Sequence, residues 1–314
     1  MLPFVIRRLA LIVPVVLGAM TLVFLLVHLI PGDAAVFIAG ERASQDVVER
    51  IRQKMGLDQP IGVQYWRYLT RLVLHGDFGD SVVTGTPVSR ELRRAFPNTL
   101  VLTAIAVVWS VTLGIVLGVG AATSRGSILD RGIMSLSVFG VSFPGFFISL
   151  AILYVLAFKL ELFPLGGRGP SLLTPEGIRY LILPAVAAGF DMLAQVARMT
   201  RTSILETLGT DYVRTARAKG VPRRRVVFLH ALRPALLPVI TLVGIAFARL
   251  LSGAVVVETV FAWPGIGRLV VASILVKDLP MIQGVLLLKA LITVGMNLVV
   301  DLTYGIIDPR MRYA

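Results

Sequence analysis

The apolar residues of this chain are gathered into runs, and six of those runs are long enough to cross a hydrocarbon layer, which takes about 20 helical residues. Hydropathy places them near residues 9–30, 98–122, 133–158, 181–200, 235–257 and 284–306. Lipid offers no partner to an open N–H or C=O, so such runs must satisfy their own backbone as helices. The expected fold class is all-α: a polytopic membrane protein with six transmembrane helices. Only 16% of the 314 residues are charged, against roughly a quarter in soluble domains. The last four runs carry glycine, proline or single charges, which blurs their edges.

The net charge is +13, and its placement sets an orientation. With the N-terminus inside, the inner segments hold Arg7 and Arg8, then Arg125 and Arg131. The fourth-to-fifth connection adds Arg198, Arg201, Arg214, Arg217, Lys219, Arg223, Arg224, Arg225 and Arg233, and the tail adds Arg310 and Arg312. The short outer connections hold only Lys159, Arg168 and Arg179, then Arg268 and Lys277. This asymmetry predicts both termini on the cytoplasmic side, with membrane lipid as a surrounding partner. The loop after the first run is also basic, but loops of that length translocate largely regardless of charge. No soluble domain is long enough to present a basic face to nucleic acid, so no nucleic-acid partner is expected. With no cysteine there is no disulfide, thiolate nucleophile or Cys-based metal site. The first run follows Arg7-Arg8 but is too long for a signal core and lacks a small-x-small cleavage site, so it is expected to be retained.

Three regions follow: 1–30 with the first span, 31–97 as an extracytoplasmic helical cap, and 98–314 as the transmembrane core with a cytoplasmic loop at 201–233. In the cap, Val47, Val48, Ile51 and Met55 predict a helix with Ser44 as N-cap and Gly56 as stop. Tyr65, Leu69, Leu72 and Val73 predict a second helix, broken by the turn Gly76-Asp77-Phe78-Gly79. Gly114 and Gly118 form a G-x-x-x-G pair, for which plain helix packing outweighs a dedicated dimer contact.

The most distinctive polar stretch is Asp211-Tyr212-Val213-Arg214-Thr215-Ala216-Arg217-Ala218-Lys219-Gly220-Val221-Pro222. Thr210 or Asp211 caps a helix, and the acid complements the positive end of its dipole. Lys219 falls in the last turn, and Gly220 is suited to a left-handed stop. Pro222 suits the first turn of a new helix, because its missing N–H would be unpaired there. Two short helices at an angle result, weakly amphipathic and better suited to docking a partner than to lying on lipid.

Arg214-Thr215-Ala216 followed by Gly220 resembles the E-A-A-x-x-x-G core of permease subunits of binding-protein-dependent ABC importers. The whole decapeptide Asp211–Gly220 is similar to the dipeptide/oligopeptide/nickel permease family. So are Pro31-Gly32-Asp33, Gly56-Leu57-Asp58-Gln59-Pro60, Gly76-Asp77-Phe78-Gly79, Glu258-Thr259-Val260-Phe261-Ala262-Trp263-Pro264-Gly265-Ile266-Gly267 and Asp308-Pro309-Arg310, in order along nearly the whole chain. Two positions depart: Arg214 stands where the general motif has glutamate, so no acidic contact carries over. Leu232-Arg233-Pro234 fits the motif's I-x-L-P end one residue out of register.

The resemblance implies a type I ABC importer permease fold, a second homologous permease and two cytoplasmic ATPases, with an extracytoplasmic solute-binding protein delivering the cargo. Asp211, Tyr212, Arg214, Thr215, Ala216, Arg217, Ala218, Lys219 and Gly220 would form the coupling helix that docks into an ATPase. The chain has no G-x-x-x-x-G-K-[ST] phosphate loop, so ATP and Mg2+ belong on the partners and the chain itself is expected to hold no cofactor and catalyse no reaction. The cargo is a small peptide or similar solute, with a nickel chelate and glutathione as alternatives.

Intramembrane charge is costly and tends to face an interior or water. Asp191 and Gln195 share a face of the fourth span, Arg249 interrupts the fifth, and Lys289 begins a stripe with Thr293, Asn297 and Asp301. Asp191, Gln195, Arg249, Glu258 and Lys289 are candidates for a translocation path suited to a zwitterionic solute. For Asn297 and Asp301, interhelical pairing is preferred. Trp263, Pro264 and Gly265 form either an outer gate or an interfacial aromatic anchor. His28, His75 and His230 are too scattered for a metal site. An intramembrane enzyme would need a catalytic constellation at one depth, which is not visible. A secondary transporter, the other rival, would carry its own coupling site and run without ATP.

Overall fold

A computed structural model describes residues 2–29, 34–39, 43–171, 174–252 and 254–307. Pro31-Gly32-Asp33 and the tail from Asp308, with Arg310 and Arg312, lie outside the described residues. The chain is helical, and among the described residues the only extended pairing is an isolated bridge between Asp80 and Pro87. In order, the helices are α1 (Leu2–His28), α2 (Ala34–Ala39), α3 (Gln45–Met55), α4 (Ile61–His75), α5 (Val88–Thr123), α6 (Ile128–Ser142) and α7 (Gly145–Ile152), which runs into a π-helical turn at Leu153–Lys159. There follow α8 (Pro175–Leu208), α9 (Asp211–Ala218), α10 (Arg223–Arg225), a second π-helical turn at Val226–Ala231, α11 (Leu232–Leu251), α12 (Val255–Val260), α13 (Ile266–Leu275) and α14 (Leu279–Ile307).

Two compact units divide the chain: residues 1–99 with 264–298, and residues 100–263 with 299–314. In the first, α1 meets α4 through Thr21 and Tyr65, whose hydroxyls lie 2.6 Å apart, and through His28 Nε2 and Gln64 Oε1 at 3.0 Å. Both predicted cap helices are present, and Gly56 and Gly76 stop them with left-handed φ of 69° and 59°. Ser44 occupies the N-cap position, but its side chain makes no capping bond. Beyond α4, the Ser81 hydroxyl donates to the buried Asp278 carboxylate, which also accepts from Val82 N at 3.3 Å. This ties the turn before α5 to the start of α14. Val88, Leu92 and Ala95 pack with Ile266, Val270 and Met281 into one apolar cluster.

The second unit is organised on α8, the most buried of the candidate spans at 61% against 17–28% for the other long apolar helices. Small residues let its neighbours close in. A Cβ on Gly118 would stand 2.6 Å from Ala197 O and from Thr200 Cβ, and one on Gly114 would stand 2.8 Å from Val196 Cγ1. The G-x-x-x-G pair is therefore a seat for α8 within the chain. Trp109 Nε1 donates to Ala185 O at 2.9 Å across the same contact.

Among the described residues, four helices are long and apolar enough to cross a membrane: α5, α8, the continuous stretch Arg223–Leu251, and α14. A fifth is α6 taken with Gly145–Lys159, and the described apolar part of α1, Ala10–Leu25, is shorter. The third expected span, 133–158, is not straight but bent by 108°. Pro144 disfavours helical geometry at Phe143, which sits at φ −90° and ψ 135°, so α6 ends at Ser142 and α7 restarts after the proline. The fifth run ends at Leu251 rather than 257, and α12 is a separate helix.

Candidate functional site

Between α8 and α11 the chain builds the short helix α9. Thr210 takes the N-cap conformation, φ −74° and ψ 154°, but its hydroxyl donates back to Thr207 O at 2.6 Å and does not cap. Asp211 supplies the acid of the first turn. At the other end Lys219 is the C-cap residue and Gly220 follows at φ +77°, where a side chain would be strained. Gly220 N bonds Arg217 O at 2.9 Å and Val221 N bonds Ala216 O at 3.2 Å, so the open carbonyls of the last turn are used.

Pro222 is the N-cap of the next helix, one position earlier than the expected first turn. That helix is not short: it runs from Arg223 to Leu251 as one apolar crossing. Near its start, Val226–Ala231 is π-helical.

α9 is one-sided, contrary to the weak amphipathicity expected. Val213 is fully buried and Ala216 half-buried, while Asp211, Tyr212, Arg214, Thr215, Arg217, Ala218, Lys219 and Gly220 are exposed. Its apolar side is spent on the chain itself, leaving a polar side outward. Two bonds hold this segment to its own unit: Tyr212 OH donates to His230 O at 3.0 Å, and Arg223 Nη2 donates to Thr123 O, at the last residue of α5, at 2.8 Å. The Arg214–Asp211 pair, 3.4 Å apart and highly exposed, adds little rigidity.

Of the intramembrane candidates, three meet. Asp191 Oδ2 accepts from Gln195 Nε2 and from Arg249 Nη2, both at 2.8 Å. The pair is not sealed, since the Arg249 side chain is 64% exposed and that of Asp191 39%. Glu258 is fully buried, and its carbonyl accepts the Trp263 N–H at 2.8 Å. Lys289 belongs to the first unit, where its carbonyl accepts the Thr293 hydroxyl at 2.9 Å. Asn297 is exposed, and the side chain of Asp301 lies outside the described residues.

Trp263 is not an interfacial anchor. It is fully buried, in a cluster with Leu102, Leu181 and Phe261. In the first unit, Pro264 O accepts Asn98 Nδ2 at 2.8 Å, and the Ile266 N–H following Gly265 donates to Thr99 Oγ1 at 2.9 Å. Residues not singled out from sequence, Asn98, Thr99, Asp130 and Arg201, make long-range polar bonds. Their only signal in the sequence is polarity at the end of an apolar run.

Comparison with known proteins is consistent along the chain. Residues 114–313 match the family described as binding-protein-dependent transport system inner membrane component, and residues 1–103 match the N-terminal region of the same membrane components. A glutathione transport system permease protein of Salmonella typhimurium is 44% identical over 313 residues, covering 100% of both chains. A putative peptide transport system permease protein of Brucella abortus is 45% identical over 316 residues, again covering 100% of both. With its apolar crossings, the chain is a multi-pass inner-membrane transport component. It belongs to the family of inner-membrane components of binding-protein-dependent transport systems, and is a permease subunit of an ABC importer.

Proposed function

We propose that this chain pairs with a second, homologous permease and that α9 is its coupling helix, received by one of two cytoplasmic ATPases that hold the ATP and Mg2+. The observation that carries this reading is α9 itself. Its apolar side is buried at Val213, its ends are pinned by Tyr212 and Arg223, and its polar side is open. Such a helix transmits motion because it does not move independently of α8 and α11, to which the chain joins it. ATP-driven closure of the ATPases would swing the permease pair between inward-open and outward-open states as rigid bodies.

Six crossings, counting α1, with both termini cytoplasmic put α9 on the ATPase side and residues 31–97 on the side of the solute-binding protein. Asp191, Gln195 and Arg249, with Glu258 and Lys289, are proposed to serve the translocation path, and Trp263, Pro264 and Gly265 its outer gate. The names of the relatives favour a small peptide or a peptide-like solute such as glutathione as cargo. The test is co-purification from its native cells followed by reconstitution. The tagged chain should bring down a second permease and two ATPases, and uptake of binding-protein-loaded solute should require ATP. Recovery of the chain alone, with uptake independent of ATP, would overturn the proposal in favour of a secondary transporter.

A further inference from the structure

α8 is covered on three sides within its unit. α6 lies against Phe190 and Ala194, since a Cβ on Gly140 would meet Ala194 Cβ at 2.9 Å. α5 lies against Leu193 and Val196 through Gly114, and α11 contributes Val239 and Ala246 to the cluster holding Met192 and Val196. With 3.6 residues per turn, these contacts leave one strip of the helix facing outward. Asp191, Gln195, Arg198 and Thr202 occupy it, at steps of four, three and four residues. Their exposure follows the same geometry: Asp191 and Gln195 are half-buried and Arg198 and Thr202 exposed, while Met192, Leu193, Ala194, Val196 and Ala197 between them are buried.

Such a strip is expensive against lipid, where a charged side chain or an open carbonyl has no partner. The second kind of cost arises at the same level. The helix break at Phe143 and Pro144 comes within a turn of Gly140, which packs on Phe190 and Ala194 beside Asp191 and Gln195. Non-helical backbone at membrane depth is tolerated only within protein or beside water. Both features are costly against lipid, and of the two the polar strip is the one that water along it would satisfy directly.

We infer that the strip Asp191–Gln195–Arg198–Thr202 is a water-filled wall about 16 Å long, leading from the Asp191–Arg249 pair to the cytoplasmic end of α8, and that it takes small zwitterionic solutes. The inference rests on the proposed role of Asp191, Gln195 and Arg249 in the path and extends it to Arg198, Thr202 and a direction of exit. The ammonium end of the solute takes the place of Arg249 at Asp191, and its carboxylate takes the place of Asp191 at Arg249. Splitting the pair leaves neither charge bare. Arg198, two turns further along, is the next cation available to the carboxylate as the solute moves on.

The chain has no cysteine, which makes the test clean. Single-cysteine variants at Gln195, Arg198 and Thr202, and at the exposed apolar controls Val108 and Ile240, are assembled with the partner subunits in inside-out vesicles. They are then treated with a membrane-impermeant cationic methanethiosulfonate, and labelling is read on this chain alone. Gln195, inside the span, should label roughly a hundredfold faster than the controls, reflecting the cost of bringing a charge into lipid, and Arg198 and Thr202, at the cytoplasmic end, at least as fast. Millimolar glycylglycine on the cytoplasmic side should slow labelling at Gln195, whereas the N-acetylated amide of the same dipeptide, lacking both charges, should not. Strip positions that label as slowly as Val108 overturn the water-filled wall. Equal protection by both dipeptides, or by neither, overturns the zwitterion site. ATP-driven uptake by the unsubstituted complex is measured in parallel. If it persists while the strip fails, only this inference falls; if it is absent, the importer assembly itself is wrong.

Discussion

Arg201 grips Asp130 with two bonds, Nε to Oδ1 at 2.6 Å and Nη2 to Oδ2 at 2.9 Å, and Gly126 N adds a third at 2.9 Å. The Asp130 side chain is 5% exposed and that of Arg201 24%. The pair fastens the α5–α6 turn to α8 one helical stretch before the coupling segment. Removing Asp130 leaves the part-buried Arg201 guanidinium and the Gly126 N–H without their acceptor. Asp130→Ala should lower the stability of the purified complex by roughly 1–3 kcal/mol, read as a fall in Tm in detergent. Asp130→Leu combined with Arg201→Met should recover most of that loss, because buried pairs are often replaceable by apolar residues. A double variant no better than the single one would show that the geometry of the pair, and not its charge balance, is what matters.

Gly220 separates conformation from space. Its φ of +77° is left-handed, yet a Cβ there meets nothing within 4 Å. Gly220→Asn should therefore support near-normal uptake, since asparagine tolerates this region, while the β-branched Gly220→Val should uncouple ATP hydrolysis from transport or release the ATPase. ATPase and uptake rates measured on one preparation check this, and unchanged transport in Gly220→Val would remove the coupling role of the turn.

Gly118 and Gly120 lie two residues apart in α5 with opposite expectations. Gly118→Ala brings a methyl group onto the α8 backbone at Ala197 O and should cost about 1–3 kcal/mol as an overpacked contact. Gly120→Ala meets nothing within 4 Å and should be neutral or slightly stabilising, as expected of Gly to Ala within a helix. Thermal unfolding of the two variants side by side decides it.

Trp263 fills its cluster completely, so Trp263→Ala should cost roughly 3–5 kcal/mol and Trp263→Phe appreciably less. A gate role would show as solute leak through a complex that is still assembled. Leak in the phenylalanine variant at unchanged Tm would mark a gate; loss of Tm without leak in the alanine variant would mark a structural plug.

Asp77, in the turn after α4, titrates in a readable direction. Burial pushes its carboxyl up, but bonds from Arg71 and Gly79 N–H, with the nearby charges of Arg71 and His75, outweigh burial and hold it below the usual carboxylate range. A depressed folded-state pKa means the stabilisation is present above the unfolded value and fades as pH falls through the folded one. Amide exchange at Gly79, whose N–H donates to Asp77 Oδ1 at 2.8 Å, should speed up relative to neighbouring amides as pH drops below about 4. Asp77→Asn should abolish that dependence.

Much of this molecule is written locally. Apolar runs of crossing length demand helices wherever they fall, because lipid leaves the backbone no other partner. The ends of α9 were readable for the same kind of reason. A proline lacks the N–H a helix needs, and a glycine adopts +77° at no steric cost, whatever surrounds them. The break at Pro144 is not legible in hydropathy, which sums across it and gives one span where the helix bends by 108°.

What the chain could not declare residue by residue was which distant side chains would meet. Asp191 and Arg249 lie 58 positions apart, and Asp130 and Arg201 71. Their bonds depend on how α8 is rotated about its axis against α6 and α11. Hydropathy sums over a whole helix and carries no information about that rotation. Trp263, read from its flanking turn as an outer gate or an interfacial anchor, is buried for the same reason: side chains from other helices, Leu102 and Leu181 among them, close over it. Close packing at Gly114, Gly118 and Gly140 sets the rotation of α8, and with it which residues face water.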